Sequence, residues 1–211
     1  DEYGQEQWFQ TIDSDYFSPT PNPYCSYRGK DIQQIDDGGY IIHGWTSDSG
    51  CGSGGDPFSF LIQIDQLGEL QSSQVFSPEY SGRTILQTTD GGYLITNFLD
   101  DEDSPFHIIK TDGNGDLEWS QNFGFNYFHG KSVQQTLDGG FIITGEQDGS
   151  NIVVIKSDES GEEQWIQSFE MSGTQSGIQV QQTLDGGYLV LNHDDSYGDS
   201  DNIMKLDENG N

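Results

Sequence analysis

The chain has 211 residues, with 36 Asp or Glu against 7 Lys or Arg, a formal net charge of −29 at pH 7. That charge repels nucleic-acid phosphates and anionic lipid headgroups, so neither is an expected partner. No apolar run approaches the roughly 20 residues of a membrane-spanning helix, so membrane insertion is not expected either. Apolar residues make up only 31%, but Ile, Val, Phe and Tyr recur on a regular plan among 28 glycines, which reads as an ordered, turn-rich all-β domain spanning 1–211.

Residues 1–12 read as a strand anchored by Trp8, preceded by Asp1 and Gly4 in a spacing that returns at 112–119 and 158–165. Residues 13–28 form an irregular, proline-containing link. Four similar units follow, at about 29–76, 82–124, 130–171 and 177–211. The third is the cleanest. Ser132–Thr136 predicts a first strand, Asp138-Gly139 a type I′ turn, Phe141–Thr144 a second strand, Ile152–Lys156 a third, Asp158–Gly161 a turn and Gln164–Phe169 a fourth. Unit one departs from this plan: Gln63 stands where the third strand otherwise carries Lys, and Ser72 where the fourth carries Trp.

The units align without ambiguity. The aromatic after the Gly pair is Tyr40, Tyr93, Phe141 or Tyr188, at spacings of 53, 48 and 47 residues. Six residues before it is always Gln (34, 87, 135, 182), three before is always Asp (37, 90, 138, 185), and eleven before is always Gly. Four short strands per unit at this period are the signature of a β-propeller blade. The repeated Gln is expected to bond backbone across blades. The last unit stops before its fourth strand, and 1–12 supply the missing piece. The fold expected is therefore a four-bladed propeller of four antiparallel strands per blade, the last completed by the N-terminal strand, which removes exposed edges. The alternatives are a slice of a longer array, or a first strand given to a neighbouring copy.

The phrase DGGYIITG followed by KxDxxGxxxW resembles the repeats of bacterial secreted β-propeller proteins, over nearly the whole chain. Its third-to-fourth turn, Lys110 to Trp119, is also similar to the sialidase Asp box and the tryptophan-docking repeat of quinoproteins. The resemblance implies an extracellular or cell-surface location and carries no activity with it.

Chemistry is sought first in carboxylates. Asp112, Asn114 and Asp116 alternate as in a calcium loop, but Leu117 occupies the sixth position, where that loop needs Gly, so a plain hairpin turn is expected. The loops between second and third strands should all leave one end of the molecule. They bring Asp100, Asp101 and Asp103 toward Asp194, Asp195, Asp199 and Asp201. Clustered carboxylates suit a hard cation, and Ca²⁺ is the expected cofactor, against the plainer reading of a solvated acidic surface. Tyr16, Tyr24, Tyr27, Trp45, Tyr80 and Tyr127 share that end and suit a glycan or a protein partner. Cys25 and Cys51 are expected to pair as a disulfide in an oxidising compartment; two free thiols in a reducing one are the alternative.

No nucleophile elbow, zinc-protease or phosphate-loop motif occurs, and the four His have no metal-like spacing. The function expected is non-enzymatic. It is a binding or structural propeller, engaging a glycan or protein or assembling with copies of itself through the terminal strand into a filament or surface layer. The alternative is a glycan-acting hydrolase or lyase using carboxylates of the acidic end.

Overall fold

The computed structural model describes residues 8–12, 26–46, 58–76, 81–98, 105–126, 128–148, 151–170, 175–194 and 200–211. Among them are four antiparallel sheets in chain order and no helix. Sheet one holds β1 (Tyr27–Gln34), β2 (Tyr40–Thr46), β3 (Ser59–Ile64) and β4 (Leu70–Phe76). Sheet two holds β5 (Ser81–Gln87), β6 (Tyr93–Phe98), β7 (Pro105–Thr111) and β8 (Leu117–Asn126). Sheet three holds β9 (Phe128–Gln135), β10 (Phe141–Gln147), β11 (Asn151–Ser157) and β12 (Glu163–Glu170). Sheet four has three strands, β13 (Gln175–Gln182), β14 (Tyr188–Asp194) and β15 (Ser200–Leu206).

Each sheet is a simple meander, and the hydrophobic pattern dictates how sheets stack. The third strands are apolar on both faces, and Ile152, Val153, Val154 and Ile155 are fully buried. In sheets two and three one face meets the sheet before and the other meets the sheet after. Ile41 and Leu61 of sheet one pack with Ile85, Tyr93, Ile95 and Ile109 of sheet two. Leu94, Phe106 and Ile108 of sheet two pack with Phe141, Ile143, Val153 and Ile155 of sheet three. Ile142, Ile152 and Val154 of sheet three pack with Val180, Tyr188, Val190 and Leu206 of sheet four. Substantial contacts between sheets fall on the first strands β1, β5, β9 and β13 and on the middle strands, so the first strands form the inner edge and the half-exposed β4 and β12 the outer one. The arrangement is propeller-like.

The repeated Gln does cross between sheets. The Oε1 of Gln87 accepts the Asp36 amide at 3.2 Å, that of Gln135 the Thr89 amide at 2.8 Å and that of Gln182 the Leu137 amide at 2.8 Å. In the other direction, Gln33 accepts the Gln87 amide at 2.8 Å and Gln134 the Gln182 amide at 2.7 Å.

Two expectations change. The Asp-Gly turns are not type I′, which needs positive φ at both central residues. Gly139 has φ 87°, while the single non-glycine with positive φ among the described residues is Asp148. The Gly139 amide bonds Thr136 O, and the Thr136 amide closes on Gly140 O, as in a type I turn followed by a left-handed glycine. Asp138 favours this form because its carboxylate accepts the Gly140 amide at 3.1 Å and the Thr136 hydroxyl, bonds that a mirror-image turn would misplace.

The fourth strand expected in the last sheet is also not found among the described residues. Residues 8–12 lie outside any strand and pack on sheet one. The Trp8 ring meets Tyr40 edge-on at 6.0 Å and its indole N–H bonds Gln66 O at 3.1 Å.

Candidate functional site

The two ends of the sheets differ. At one end lie the tight turns, and each is self-sufficient. In the four Asp-x-x-Gly turns between third and fourth strands or after β15, among the described residues, the Asp carboxylate caps its own backbone: Asp112 accepts the amides of Asn114 and Asp116 at 2.8 and 2.9 Å, and Asp65, Asp158 and Asp207 do the same in theirs. This is the hairpin turn expected of 112–116. Backbone bonding holds the Asp112 and Asp207 carboxyls below the ordinary carboxylate range, while in Asp158 the Ser160 hydroxyl is the larger cause.

The neighbouring Asp-Gly-Gly turns are tied to the third strand by lysine. The side chain of Lys156, 3% exposed, reaches Asp138 at 3.0 Å and Ser157 O at 2.7 Å. Lys110 reaches Asp90 at 2.9 Å and Glu118 at 2.8 Å, and Lys205 reaches Asp185 at 3.0 Å. Partial burial works to raise the Asp90 pKa, but bonds from Thr88, Gly92 and Lys110 overcome it and hold the group at about 2. Asp185 is held at about 2 by the Thr183 hydroxyl first and Lys205 second. In sheet one Gln63 replaces the lysine and meets the other substituted position instead, with Ser72 Oγ 3.3 Å from its Oε1.

The opposite end receives the starts of the first strands, the loops between second and third strands and the links between sheets. Tyr27 pairs with Thr46 and Ser59 with Phe76, which fixes this placement. Here all four remaining cations of the chain sit on first strands: Arg28 and Lys30 in β1, Arg83 in β5, Lys131 in β9. Lys30, Arg83 and Lys131 occupy one equivalent position, immediately after the repeated glycine. Pairing skips that residue in each sheet, so it is the extra residue of a β-bulge. Bulges re-aim a side chain out of the ladder and cluster beside functional sites. Sheet four has the same bulge with Ile178 in it, 40% exposed.

Around these cations the structure places aromatic and acidic groups. Trp45 pairs across the strand with Arg28, whose Cζ lies 5.9 Å from the ring centroid; Lys30 Nζ lies 5.6 Å away. Lys131 Nζ meets Glu146 Oε1 at 3.2 Å, and His129 Nδ1 meets the same oxygen at 3.3 Å. In sheet four His193 Nδ1 meets Asp201 Oδ1 at 3.0 Å. His43 is fully buried and burial holds its pKa at about 3; burial also lowers His107, to about 4. Both stay neutral, as structural histidines should.

Of the expected cation ligands, Asp201 meets His193, and Asp194 ends β14 opposite Ser200. Asp100, Asp101, Asp103, Asp195 and Asp199 lie outside the described residues, as do Tyr16, Tyr24, Tyr80, Tyr127, Cys25 and Cys51. Among the described residues no group of three His, Cys, Asp or Glu could hold a metal ion. The Tyr27 ring packs against Phe58 and Phe60, at 6.5 and 6.1 Å, so it braces sheet one from this end. Sequence reasoning named Trp45 but missed the cations. Their signal was present in the repeat, since the residue after the repeated glycine is basic in three units of four.

Comparison with known proteins supports the fold alone. No family model matches the chain, and no curated protein does. Among solved structures it is similar to a protein of unknown function from Dyadobacter fermentans, with a TM-score of 0.59 at 13% identity over 93% of this chain and 58% of that one. It is also similar to a protein of unknown function from Bacteroides caccae, with a TM-score of 0.55 at 16% identity over 90% and 67%. A GH43 β-xylosidase/α-arabinofuranosidase from a compost metagenome matches at a TM-score of 0.48 and 10% identity, over 87% and 78%, too remote to argue from. The chain thus spans somewhat over half of the Dyadobacter protein.

Proposed function

We propose that the chain is a non-enzymatic propeller module, each sheet a blade, that binds an acidic carbohydrate at the loop end of its inner strands. The observation that carries the reading is the bulge. Three consecutive sheets carry a basic residue at the same bulge position of the first strand, Lys131 there meeting Glu146, while the other lysines are tied to aspartates in the turns. Trp45 and Arg28 beside Lys30 add an aromatic face and a guanidinium fork, the set that holds a sugar ring and its carboxylate.

Calcium belongs to the same end in this reading, because the acidic loops around 100–103 and 194–201 leave from it and offer hard oxygen ligands. A secreted or cell-surface setting, where millimolar calcium and acidic polysaccharide meet, accords with it. The test is calorimetric titration with an oligogalacturonate and with a neutral oligosaccharide of equal length. The acidic sugar alone should bind, and Lys30→Ala and Trp45→Ala should each weaken it about tenfold. Equal binding of the neutral sugar would sink the proposal, and shortened sugar in the cell would support a hydrolase or lyase instead.

A further inference from the structure

Sheet three has a sheet packed on each face, and its loop end differs in kind from the others. The residue before the repeated glycine is Arg28, Ser81, His129 or Ser176, and the fifth residue after the repeated aromatic is Trp45, Phe98, Glu146 or His193. Sheet three alone has a carboxylate at the second of these places, and sets it beside both an imidazole and the bulge lysine.

The strand register builds this group. His129 stands directly opposite Glu146, and Gly130 opposite Gly145. The pairing then skips Lys131 and resumes with Ser132 opposite Thr144. A Cβ on Gly145 would stand 2.1 Å from His129 O, so the backbones of β9 and β10 approach closely here. Glu146 thereby gains two basic partners from one strand. Its Oε1 lies 3.2 Å from Lys131 Nζ and 3.3 Å from His129 Nδ1. The Glu146 side chain is 18% exposed, the least of the three, so its charge depends on these partners for balance. A carboxylate only accepts hydrogen bonds, so His129 donates from Nδ1 and takes a further proton on Nε2.

Little else nearby bears charge. The elements chiefly packed against β9 are β5, β6, β7, β10 and β13. On β6 the one titratable group is Tyr93, at the turn end, and β13 has none. On β7 Lys110 is held by Asp90 and Glu118 at the turn end. His107 of the same strand is kept at about 4 by burial. Arg83 of β5, at the equivalent bulge, is the remaining cation. Lys131 and Glu146 cancel one another, so His129 decides the local charge.

We propose that this triad makes the acidic-ligand site proton-gated. With His129 neutral, sheet three offers an anion no net charge; with His129 protonated, it offers one positive charge and holds the ligand more tightly. The proposal rests on the carbohydrate reading of the same end. Imidazole is the ordinary side chain that changes charge between about pH 5 and 8, whereas a uronic carboxylate stays ionised throughout. The gate therefore acts on the protein and leaves the ligand unchanged. Sheet one carries the permanent guanidinium of Arg28 at the place of His129, and supplies the part of the binding that does not vary. Of the other histidines, burial keeps His43 and His107 below this range. His193 meets Asp201, and the bulge of its sheet holds Ile178 in place of a cation.

The test is calorimetric titration with the oligogalacturonate at about pH 5.5 and about pH 8. It compares wild type with His129→Gln, Glu146→Gln and His193→Gln, with circular dichroism to check that each variant is folded. Wild type should bind about threefold more tightly at the lower pH, the worth of one partly exposed charge pair. His129→Gln should lose most of that rise, because an amide donates to Glu146 without taking up a proton. Glu146→Gln should bind more tightly than wild type at the higher pH, since Lys131 is no longer neutralised. An undiminished rise in His129→Gln overturns the proposal, as does a rise lost only with His193→Gln. Wild-type binding that is equal at both pH values sinks the gate alone, whereas no binding at either pH sinks the carbohydrate reading and the gate with it.

Discussion

His43 lies at the position that Thr96 and Thr144 fill in sheets two and three. It is fully buried, and neither ring nitrogen has a hydrogen-bond partner among the described residues. In the unfolded chain the ring takes up a proton below pH 6.5; in the folded chain burial delays this to about 3. Between those values the unfolded state binds more protons, so stability present above pH 6.5 is lost as pH falls, by up to about 1.4 kcal/mol per pH unit. His43→Thr, the residue of the sister sheets, should flatten the acid limb of a urea-melt series. The lowered carboxylates of the turns add their own loss only below about pH 4. Equal slopes for wild type and variant between pH 4.5 and 6 would rule out a neutral, buried His43. The sequence placed this histidine just after a strand and did not show its burial, which depends on β2 running on to Thr46 and the next sheet closing over it.

At the scale of an element, the Asp-Gly-Gly hairpin and the third strand form one unit only through the lysine between them. The second glycine is obligatory, because a Cβ on Gly140 would stand 2.1 Å from Ser157 O and 2.7 Å from Lys156 Nζ. The two partners of the ion pair are not equivalent. Lys156 has 3% of its side chain exposed, Asp138 54%. Removing the aspartate strands a buried ammonium, whereas removing the lysine leaves a carboxylate already in water. Asp138→Ala should therefore cost about 3 kcal/mol and Lys156→Met about 1 kcal/mol, read as the difference in denaturant midpoints. The reverse order would mean that the lysine stem, not its charge, joins the elements. The repeat made Asp138 and Lys156 legible as fixed positions. It did not show that they meet, because 18 residues separate them. The type I′ expectation failed on the same hairpin, since carboxylate bonds to Thr136 and Gly140 decide the turn.

Across the whole molecule, charge is segregated. The turn end ties its carboxylates to backbone amides and to Lys110, Lys156 and Lys205. At the opposite end the strands are joined by segments that are acidic in sequence, 99–104 and 195–199, and the bulge cations lie on the first strands of the same molecule. Like charges so gathered repel, and a bound hard cation relieves that repulsion. Millimolar Ca²⁺ should therefore raise the melting temperature by several degrees and EDTA should reverse it, with Mg²⁺ doing less; an unchanged melt with EDTA would remove calcium from the proposal.

The sequence by itself determined the strands of the four repeated units, their order, the places of the turns and the inter-sheet glutamines, because each rests on short-range geometry or on a position repeated four times. The equivalence of Lys30, Arg83 and Lys131 lay in the same repeat. Only the tertiary structure decided that these residues are bulges at the inner edge and that Trp8 rests on sheet one. Those outcomes depend on how far each sheet turns relative to the last. That rotation is set by side chains packed between sheets about 50 residues apart, and no local pattern encodes it.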